Sequence, residues 1–340
     1  MDVLARVRQT IRRHDLARAG TRVVVALSGG SDSVALAWLL QSLADAGELQ
    51  IAGLAHFNHQ LRAAAGEDER FCDRVAAALR LPLLTDREDV AARAAREGRS
   101  IEDAARTARH AFLERARAHF SADVVALGHT RDDQAETFLL RLIRGAGSRG
   151  LAAMHPRKDA LIRPLLDCRR NELRAHLAER RIPYVADESN DDVSIPRNRV
   201  RAELMPLLEQ RFNPSIVDAL ADQAEIAREE WRWQTDEAER LSAAICRREG
   251  DRWQVDADAL NHAPPALARM MVHAAMTAAA RGRPVAFHHV AAALELCRAG
   301  GGPIDGPGQR VERIGGSLVL TGRPEGALGR PDARPRRQPR

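Results

Sequence analysis

The stretch VVVALSGGSDSVALAWLL, Val23–Leu40, passes from a short apolar run through six small residues, Ser28–Ser33, into an apolar-rich helical pattern. A strand that leads directly into a helix is typical of α/β proteins. Gly29 and Gly30 leave backbone amides free of side chains at the helix N-terminus, where the amides and the helix dipole bind phosphate. A turn that only caps the helix is the alternative, but capping does not require six small residues in succession. The stretch therefore predicts a phosphate-binding loop.

Further apolar runs alternate with helical patterns along the first half of the chain. The predicted strands are Val23–Leu27, Leu49–Phe57, Leu81–Thr85 and Asp123–Gly128, and the predicted helices are Asp32–Ala44, Glu67–Leu79, Ile101–His119 and Asp132–Arg144. This alternation predicts an α/β fold with a Rossmann-like parallel sheet and helices on both faces. Ligands of such sheets bind at the carboxyl ends of the strands. The segments HFNHQLR (56–62) and GHTRDDQAET (128–137) each follow a strand, so we expect them beside Ser28–Ser33.

The second half of the chain predicts a long helix and a small α+β domain. Residues 213–248 are polar and favour a helix. The patterns that follow predict strands at Trp253–Val255, Arg310–Ile314 and Ser317–Thr321 and helices near Pro265–Ala280 and Phe287–Arg298. The predicted domains are thus 1–212 for ligand binding and catalysis, 213–248 as a connecting helix, 249–322 as the small domain, and 323–340 as a disordered basic tail rich in Pro and Arg.

The amino-acid composition limits the ligands and reactions that suit this chain. The net charge of +5 is a mild excess that suits an anionic partner such as a nucleotide or RNA. Of the 52 lysine and arginine residues only Lys158 is a lysine, so the Gly-Lys-Ser/Thr loop of Walker enzymes is absent. The four cysteines are scattered singly, which argues against a disulfide framework, a zinc site or an iron–sulfur cluster. With no signal-peptide pattern and no membrane-spanning run, the chain is expected to be cytoplasmic and to have no membrane partner.

Carboxylates lie at two places on the edge of the predicted sheet where the strands end. Asp32 lies where a magnesium ion beside a pyrophosphate group would need a ligand. Asp132, Asp133 and Glu136 fall within the first turns of one predicted helix, on neighbouring positions. Three carboxylates this close repel one another unless a cation joins them, so the cluster predicts a cage for magnesium or for a substrate ammonium group. Simple complementation of the helix dipole is the alternative.

Arginines and histidines supply the other candidate contacts. The segment GAGSRG (145–150) matches the dinucleotide fingerprint GxGxxG, but it follows a predicted helix rather than a strand, which argues against NAD binding. Arg144 and Arg149 around these glycines instead suit a loop that contacts an anion. His56 and His59 lack a third soft ligand nearby, so nucleotide contact or packing is favoured over metal binding. A further arginine-rich helix start suits phosphate or RNA backbone, with a salt-bridged surface as an equal alternative, and it comprises Arg197, Asn198, Arg199 and Arg201.

The loop SGGSDS resembles the signature loop of the PP-loop ATP pyrophosphatases, which cleave ATP between its α and β phosphates. Together the quoted segments, over roughly residues 23–210, resemble the tRNA(Ile)-lysidine synthetase family. This resemblance implies that ATP adenylates C2 of the wobble cytidine of tRNA(Ile) with a CAU anticodon. The ε-amine of free L-lysine then displaces AMP and gives lysidine, which changes the codon and amino-acid identity of the tRNA.

The resemblance also implies roles for single residues. It assigns the loop Ser28–Ser33 to ATP and Asp32 to Mg²⁺ and catalysis, and we expect His56 and His59 to contact the same ATP. The acidic cluster would hold lysine, and Arg106 and Arg109 in the segment ARTARHAFL would stabilise the charge that develops on the phosphate. His110 stands where the family usually has a tyrosine. The small domain at 249–322 is expected to bind tRNA, together with Arg144, Arg149, Arg197, Asn198, Arg199 and Arg201.

Two other functions stay open at this point. One is a different PP-loop tRNA enzyme that inserts sulfur, against which the scattered cysteines argue because such chemistry usually needs a persulfide cysteine or a cluster. The other is a nucleotide- or RNA-binding module without catalysis, which the acidic cluster makes less favourable. The sequence leaves the oligomeric state open, and a homodimer is compatible with it.

Overall fold

The computed structural model describes residues 2–60, 65–185 and 192–322, so the disordered tail predicted at 323–340 lies outside the described residues. The chain divides into two units between Glu229 and Glu230, inside a long helix at Ile216–Ile245. The sequence-based boundaries at 212 and 248 lie close to the two ends of this helix.

The first unit contains a six-stranded sheet. Its strands are β1 Arg22–Ala26, β2 Gln50–Asn58, β3 Leu83–Arg87, β4 Val124–Ala126, β5 Arg157–Lys158 and β6 Leu161–Ile162, in the spatial order β3-β2-β1-β4-β6-β5. All neighbouring strands are parallel except the pair β5 and β6. The predicted parallel sheet is therefore confirmed, and the two-residue strands β5 and β6 are additions that the sequence did not predict.

Helices cover both faces of this sheet, as expected. The helical elements up to the second unit are α1 Val3–Arg13, α2 Ser31–Asp45, α3 Ala65–Leu79, α4 Val90–Glu97, α5 Ile101–His119, α6 Arg131–Ile143, α7 Ser148–Leu151, α8 Arg170–Glu179, α9 Pro196–Arg199, a π-helical turn at Val200–Leu204, α10 Met205–Arg211 and the first part of α11 Ile216–Ile245. Val23 and Val25 of β1 are buried in a core with α1, α2, α3 and α8. Val24, between them, is buried on the other face with α4 and α5. The alternation of neighbouring side chains across the pleat explains this division.

The strand order changes direction at β1, which pairs with β2 on one side and with β4 on the other. Crevices at such switch points are where open α/β sheets bind ligands. Gly128, just after β4, has no side chain, and a Cβ atom there would lie 3.1 Å from the backbone of Asp32 and of Ser33. The glycine therefore allows the segment after β4 to pack directly on the N-terminus of α2, beside the predicted phosphate loop.

The second unit is a small α+β fold, as predicted. Its elements are β7 Cys246–Glu249, β8 Arg252–Asp256, α12 Ala257–His262, α13 Pro265–Ala279, α14 Phe287–Ala299, β9 Ile304–Gly306, β10 Gln309–Ile314 and β11 Ser317–Gly322. The strands form an antiparallel sheet in the order β7-β8-β11-β10-β9. Val255, Val311 and Leu320 pack under α13 and α14 in its core. Across the part of the chain that is described, no helix has the length and apolar character needed to span a membrane.

Candidate active site

The loop Ser28–Ser33 joins β1 to α2 and is fixed by its own hydroxyl groups. Ser33 Oγ accepts the backbone N–H of Ser28 at 3.1 Å and donates to the carbonyl of Gly30 at 3.0 Å. Gly29 has φ +89°, a left-handed conformation that a side chain would strain. Gly30 is the N-cap, and no side chain of the described residues caps α2. The amides at this helix start are therefore not taken up by a cap, which favours the anion-binding interpretation over a simple capping turn.

Asp32, in the first turn of α2, faces the neighbouring helix α8. One carboxylate oxygen accepts from Arg170 Nε at 3.1 Å, and the other accepts from Ser31 Oγ at 3.0 Å. Burial raises the pKa of Asp32, while the charge of Arg170 opposes that rise. The side chain is 20% exposed, so an incoming cation can still reach it.

Asp133 has two roles at the start of α6. Its Oδ2 accepts the backbone N–H of Thr130 at 2.8 Å and the hydroxyl of Thr130 at 2.9 Å, which completes a capping box. Its Oδ1 accepts from three arginines, Arg170 at 2.9 Å, Arg197 at 3.1 Å and Arg201 at 3.2 Å. Although burial favours the neutral acid, these positive charges hold the pKa of Asp133 well below its usual range. Asp133 thus both complements the dipole at the start of α6 and binds cationic side chains.

Glu136, one turn further on, is 2% exposed and faces the same three arginines. Arg201 Nε donates to Oε1 at 2.7 Å, and Arg197 Nε donates to Oε2 at 3.1 Å. Arg170 Nη1 approaches Oε1 at 3.4 Å. Two buried carboxylates therefore face three guanidinium groups, and the site carries no excess of negative charge in the free protein.

Asp132 differs from the other two members of the predicted acidic cluster. It accepts the backbone N–H of Arg170 at 2.8 Å and lies 3.7 Å from Arg169 Nε. Arg169 is shared with Asp218 and Glu209 on later helices. Asp132 is the most accessible carboxylate of the cluster, with 20% of its side chain exposed.

The residues predicted to contact tRNA do not form one surface. Arg197 and Arg201 point into the carboxylate pair. Asn198 is buried and donates to the carbonyl of Asp192, whereas Arg199 is exposed and donates to the carbonyl of Val193. Arg144 and Arg149 are exposed near the end of α6. The salt-bridged alternative therefore describes Arg197 and Arg201 in the free protein.

Arg106 and Arg109 lie on α5 and reach solvent. Surrounding protein atoms, followed by the charges of Arg106 and Arg197, lower the pKa of Arg109. His59 is close enough to Arg109 that burial, together with this charge, lowers the pKa of His59 to about 4.

His56, inside β2, and His59, just after it, are packing groups with unused polar atoms. His56 Nδ1 lies 2.9 Å from the carbonyl of Leu27, at the end of the strand that feeds the loop. The ring of His59 stacks edge-on against Phe57 with centroids 4.7 Å apart. Within the described part of the chain, no hydrogen-bond partner reaches the buried atoms His56 Nε2 and His59 Nδ1. These atoms remain available to a ligand, and the assignment of both histidines to ATP stays a prediction.

Sequence reasoning missed three arginines. Arg169 and Arg170 begin α8 and bind the acidic cluster, and Arg163, directly after β6, is buried next to His129. The segment RPLLDCRRNEL that contains all three is visible in the sequence as an arginine-rich stretch. Nothing in the sequence indicates which carboxylates they reach.

A phosphate loop at the switch point of a parallel sheet, with carboxylates and arginines on the same rim, defines a nucleotide-binding α/β protein. Residues 3–208, more than half of the chain, match the PP-loop domain family, and the chain belongs to this family.

Comparison with curated relatives indicates a narrower group of proteins to which the chain is similar. The chain is similar to the tRNA(Ile)-lysidine synthase of Geobacter sulfurreducens, with 47% identity over 228 residues that cover 66% of this chain and 48% of that protein. It is 40% identical over 288 residues to the tRNA(Ile)-lysidine synthase of Symbiobacterium thermophilum, covering 81% of this chain and 59% of the relative. The chain thus spans about half to three fifths of the length of these two relatives.

Among solved structures, the U34-tRNA thiolase NcsA from Methanococcus maripaludis, described with its [4Fe-4S] cluster, has a similar fold. It superposes with a TM-score of 0.54 and 17% sequence identity over 67% of this chain and 78% of that chain. At this identity the likeness concerns the fold alone.

Proposed function

We propose that this chain ligates L-lysine to C2 of the wobble cytidine of tRNA(Ile) with a CAU anticodon, using ATP and releasing AMP and pyrophosphate. One observation carries the proposal: the guanidinium of Arg170 contacts both Asp32 of the phosphate loop and Asp133 of the acidic cluster. The loop suited to ATP and the carboxylates suited to an ammonium group are thus separated by a single side chain. The similarity to lysidine synthases supports the same reaction.

In the first step the amides at the start of α2 would hold the phosphates of ATP. The cytosine O2 attacks the α-phosphorus, the bond to the β-phosphate oxygen breaks, and pyrophosphate leaves. Arg106 and Arg109 of α5 reach solvent and would offset the negative charge that develops.

Magnesium fits this site only together with the nucleotide. Among the described residues no group of three or more His, Cys, Asp or Glu could hold a metal ion. Magnesium at nucleotide sites commonly takes one or two carboxylates and completes its shell with phosphate oxygens and water. Asp32 is the carboxylate that would hold it, and the ion would neutralise charge on the departing pyrophosphate.

Lysine would bind where arginines now bind the acidic cluster. Because Asp133 and Glu136 already face three guanidinium groups, an added ammonium group requires one of these to move away. Arg197 and Arg201 have side chains 33% and 28% exposed, whereas Arg170 is 15% exposed. The first two are therefore the ones positioned to turn outwards, toward the phosphates of the bound substrates.

The second step requires a neutral amine. The lysine Nε loses a proton and attacks C2, the bond from C2 to O2 breaks, and AMP leaves with that oxygen. The arginines depress the pKa of Asp133, which makes it a weak base for this step. Asp132 and Glu136 are the other carboxylates of the cluster that could accept the proton.

The sulfur-inserting alternative is not favoured by the cysteines. Burial raises the pKa of Cys72 and of Cys168 to about 12, so neither is a thiolate at neutral pH. We further propose that the chain acts in the cytoplasm, where tRNA and free lysine meet. The homodimer stays a prediction.

A pyrophosphate-release assay tests the function. It would combine ATP, Mg²⁺ and unmodified tRNA(Ile) transcript with each amino acid in turn, with lysidine detected by mass spectrometry of the digested RNA. We expect AMP and lysidine with lysine alone. Equal turnover without lysine contradicts the lysidine reaction, and no AMP under any condition favours a binding module.

A matched pair of variants tests the lysine site. Glu136→Gln removes one of two carboxylates that face three arginines, so the KM for lysine is expected to rise at least about tenfold, with the KM for ATP unchanged. Glu203→Gln changes an exposed residue on the π-helical turn nearby and serves as the control. Equal lysine KM values in the two variants contradict the assignment.

A further inference from the structure

Asp218 lies in the first turn of the long helix α11 and joins two arginines from earlier parts of the chain. Its Oδ1 accepts from Arg131 Nε at 2.6 Å, and its Oδ2 accepts from Arg169 Nη1 at 3.0 Å. The side chains of these arginines are only 17% and 20% exposed. Removing Asp218 would leave two largely buried charges with fewer partners, which costs more than the loss of a surface ion pair.

The two arginines stand directly before residues of the proposed lysine site. Arg131 is the first residue of α6 and precedes Asp132. Arg169 is the N-cap of α8 and precedes Arg170, whose guanidinium contacts the acidic cluster. Asp218 therefore holds the starts of α6 and α8 through side chains that are one residue away from this site.

Backbone hydrogen bonds join the same two helix starts to each other. The N–H of Arg131 donates to the carbonyl of Cys168 at 2.9 Å. The N–H of Arg170 donates to Asp132 Oδ2 at 2.8 Å. With the bridge through Asp218, these contacts form one junction that comprises residues 131–133 and 168–170. A shift of one helix start against the other would change the spacing of the carboxylates around a bound ammonium group.

We propose that Asp218 is a positioning residue for the lysine site, because it sets the distance between the starts of α6 and α8. This inference rests on the proposed function, which places lysine at the acidic cluster. Binding groups must be held within about 0.5 Å of their productive geometry by such supporting contacts. The phosphate loop is fixed by its own hydroxyl groups, so ATP binding depends less on Asp218.

The test compares Asp218→Ala with Asp222→Ala, one turn further along α11. Asp222 accepts from Arg131 at 2.6 Å, so its loss weakens one side of the junction but keeps the bridge between the two arginines. Asp222→Ala is therefore the matched control. If Asp218→Ala fails to fold, Asp218→Asn removes the charge, keeps the size of the side chain and takes its place in both arms of the test.

The first arm measures hydrogen exchange of backbone amides in the free protein and needs no substrate. The amides of Arg131 and Arg170 are the first of their helices, and their hydrogen bonds cross the junction. We expect peptides that cover them to exchange at least about tenfold faster in Asp218→Ala, and less than about threefold faster in Asp222→Ala. Exchange equal to that of the native chain in Asp218→Ala overturns the proposal.

The second arm measures the KM values for lysine and for ATP in lysidine formation. Asp218→Ala is expected to raise the KM for lysine roughly fivefold and the KM for ATP less than about twofold. Asp218→Glu restores the carboxylate and should recover most of the affinity for lysine. Equal increases in both KM values, or the same KM for lysine in Asp218→Ala and Asp222→Ala, overturn the proposal. Faster exchange in a chain that forms no lysidine supports the positioning role and contradicts the proposed reaction.

Discussion

Arg201 forms a bidentate salt bridge with Glu136, with Nε 2.7 Å from Oε1 and Nη2 3.0 Å from Oε2. The arginine lies in the π-helical turn at Val200–Leu204, a rare form that often occurs at functional sites. Glu136 comes from α6, so the pair ties two separate elements of the first unit together. The contact stabilises the free protein and at the same time occupies the proposed lysine site.

Replacing Arg201 by glutamine should destabilise the protein. Glu136 is 2% exposed and would lose a bidentate charged partner, although Arg170 and Arg197 remain. We expect the free energy of unfolding in urea to fall by about 1–3 kcal/mol. Arg199→Gln, two residues earlier and exposed, should change it by less than about 0.5 kcal/mol. Equal losses in the two variants would show that the ion pair contributes nothing particular.

The two glycines of the phosphate loop should respond differently to alanine. Gly29 has φ +89°, and Gly29→Ala is expected to cost about 1–2 kcal/mol of unfolding free energy because it forces a side chain into the left-handed region. Gly30 has φ −72°, and a Cβ atom there would lie 3.6 Å from Ser28 Oγ, an ordinary contact. Gly30→Ala should therefore unfold at nearly the same urea concentration as the native protein. The reverse ranking would contradict the loop conformation.

Asp32→Asn should abolish adenylation while leaving RNA binding intact. The change removes the carboxylate that would hold magnesium but keeps the size of the side chain. Pyrophosphate release is expected to fall by roughly 100-fold or more, and tRNA affinity to change less than about twofold. Asp45→Asn, exposed at the other end of α2, is the matched control. A normal rate in Asp32→Asn would remove Asp32 from the mechanism.

His129 should make the stability of the protein depend on acid pH. Burial lowers the pKa of His129 to about 3, from an ordinary value of 6.5. Between these values the unfolded chain binds a proton that the folded chain does not, so the free energy of unfolding falls as the pH drops below 6.5. His129→Gln lacks this proton but keeps an acceptor for Arg163. Urea unfolding at pH 7.0, 6.0 and 5.0 should show a shallower decline in the variant, by up to about 1.4 kcal/mol per pH unit. Parallel curves would contradict this origin of the acid sensitivity.

Local patterns were enough to predict the strands β1 to β4 and the helices α2, α3, α5 and α6, but not α1, α4 or α7 to α10. The run Val23–Leu27 and the helix that follows it were recognised from side-chain periodicity, and the alternation of strands and helices predicted a parallel sheet. The strands β5 and β6 were missed because each has only two residues, too few to show a periodic pattern. They form only because β6 pairs with β4 and β5 pairs with β6. The edge strands β7 and β9, of four and three residues, were also missed, and β7 begins where the sequence predicted the end of the connecting helix.

The site was predictable in its location but not in its pairing. Strand ends meet at one edge of a parallel sheet, so Asp32 and the acidic cluster could be expected together. The partner that joins them, Arg170, is 138 residues from Asp32 along the chain. Pairings between such distant residues depend on how α8 packs against α2, and no local pattern encodes that. The roles of these residues toward ATP, lysine and tRNA stay predictions.

The capping box of α6 gives Asp133 a structural role that Glu136 does not have. Because Asp133 closes the first turn of α6 through Thr130, any substitution there changes how that helix begins as well as what the site can hold. Changing the amine accepted at the proposed lysine site would therefore have one practical entry point, Glu136, where charge and length can be varied while the helix start stays intact. Substitutions can therefore accumulate at Glu136 without changing the start of α6, whereas at Asp133 they also change the fold.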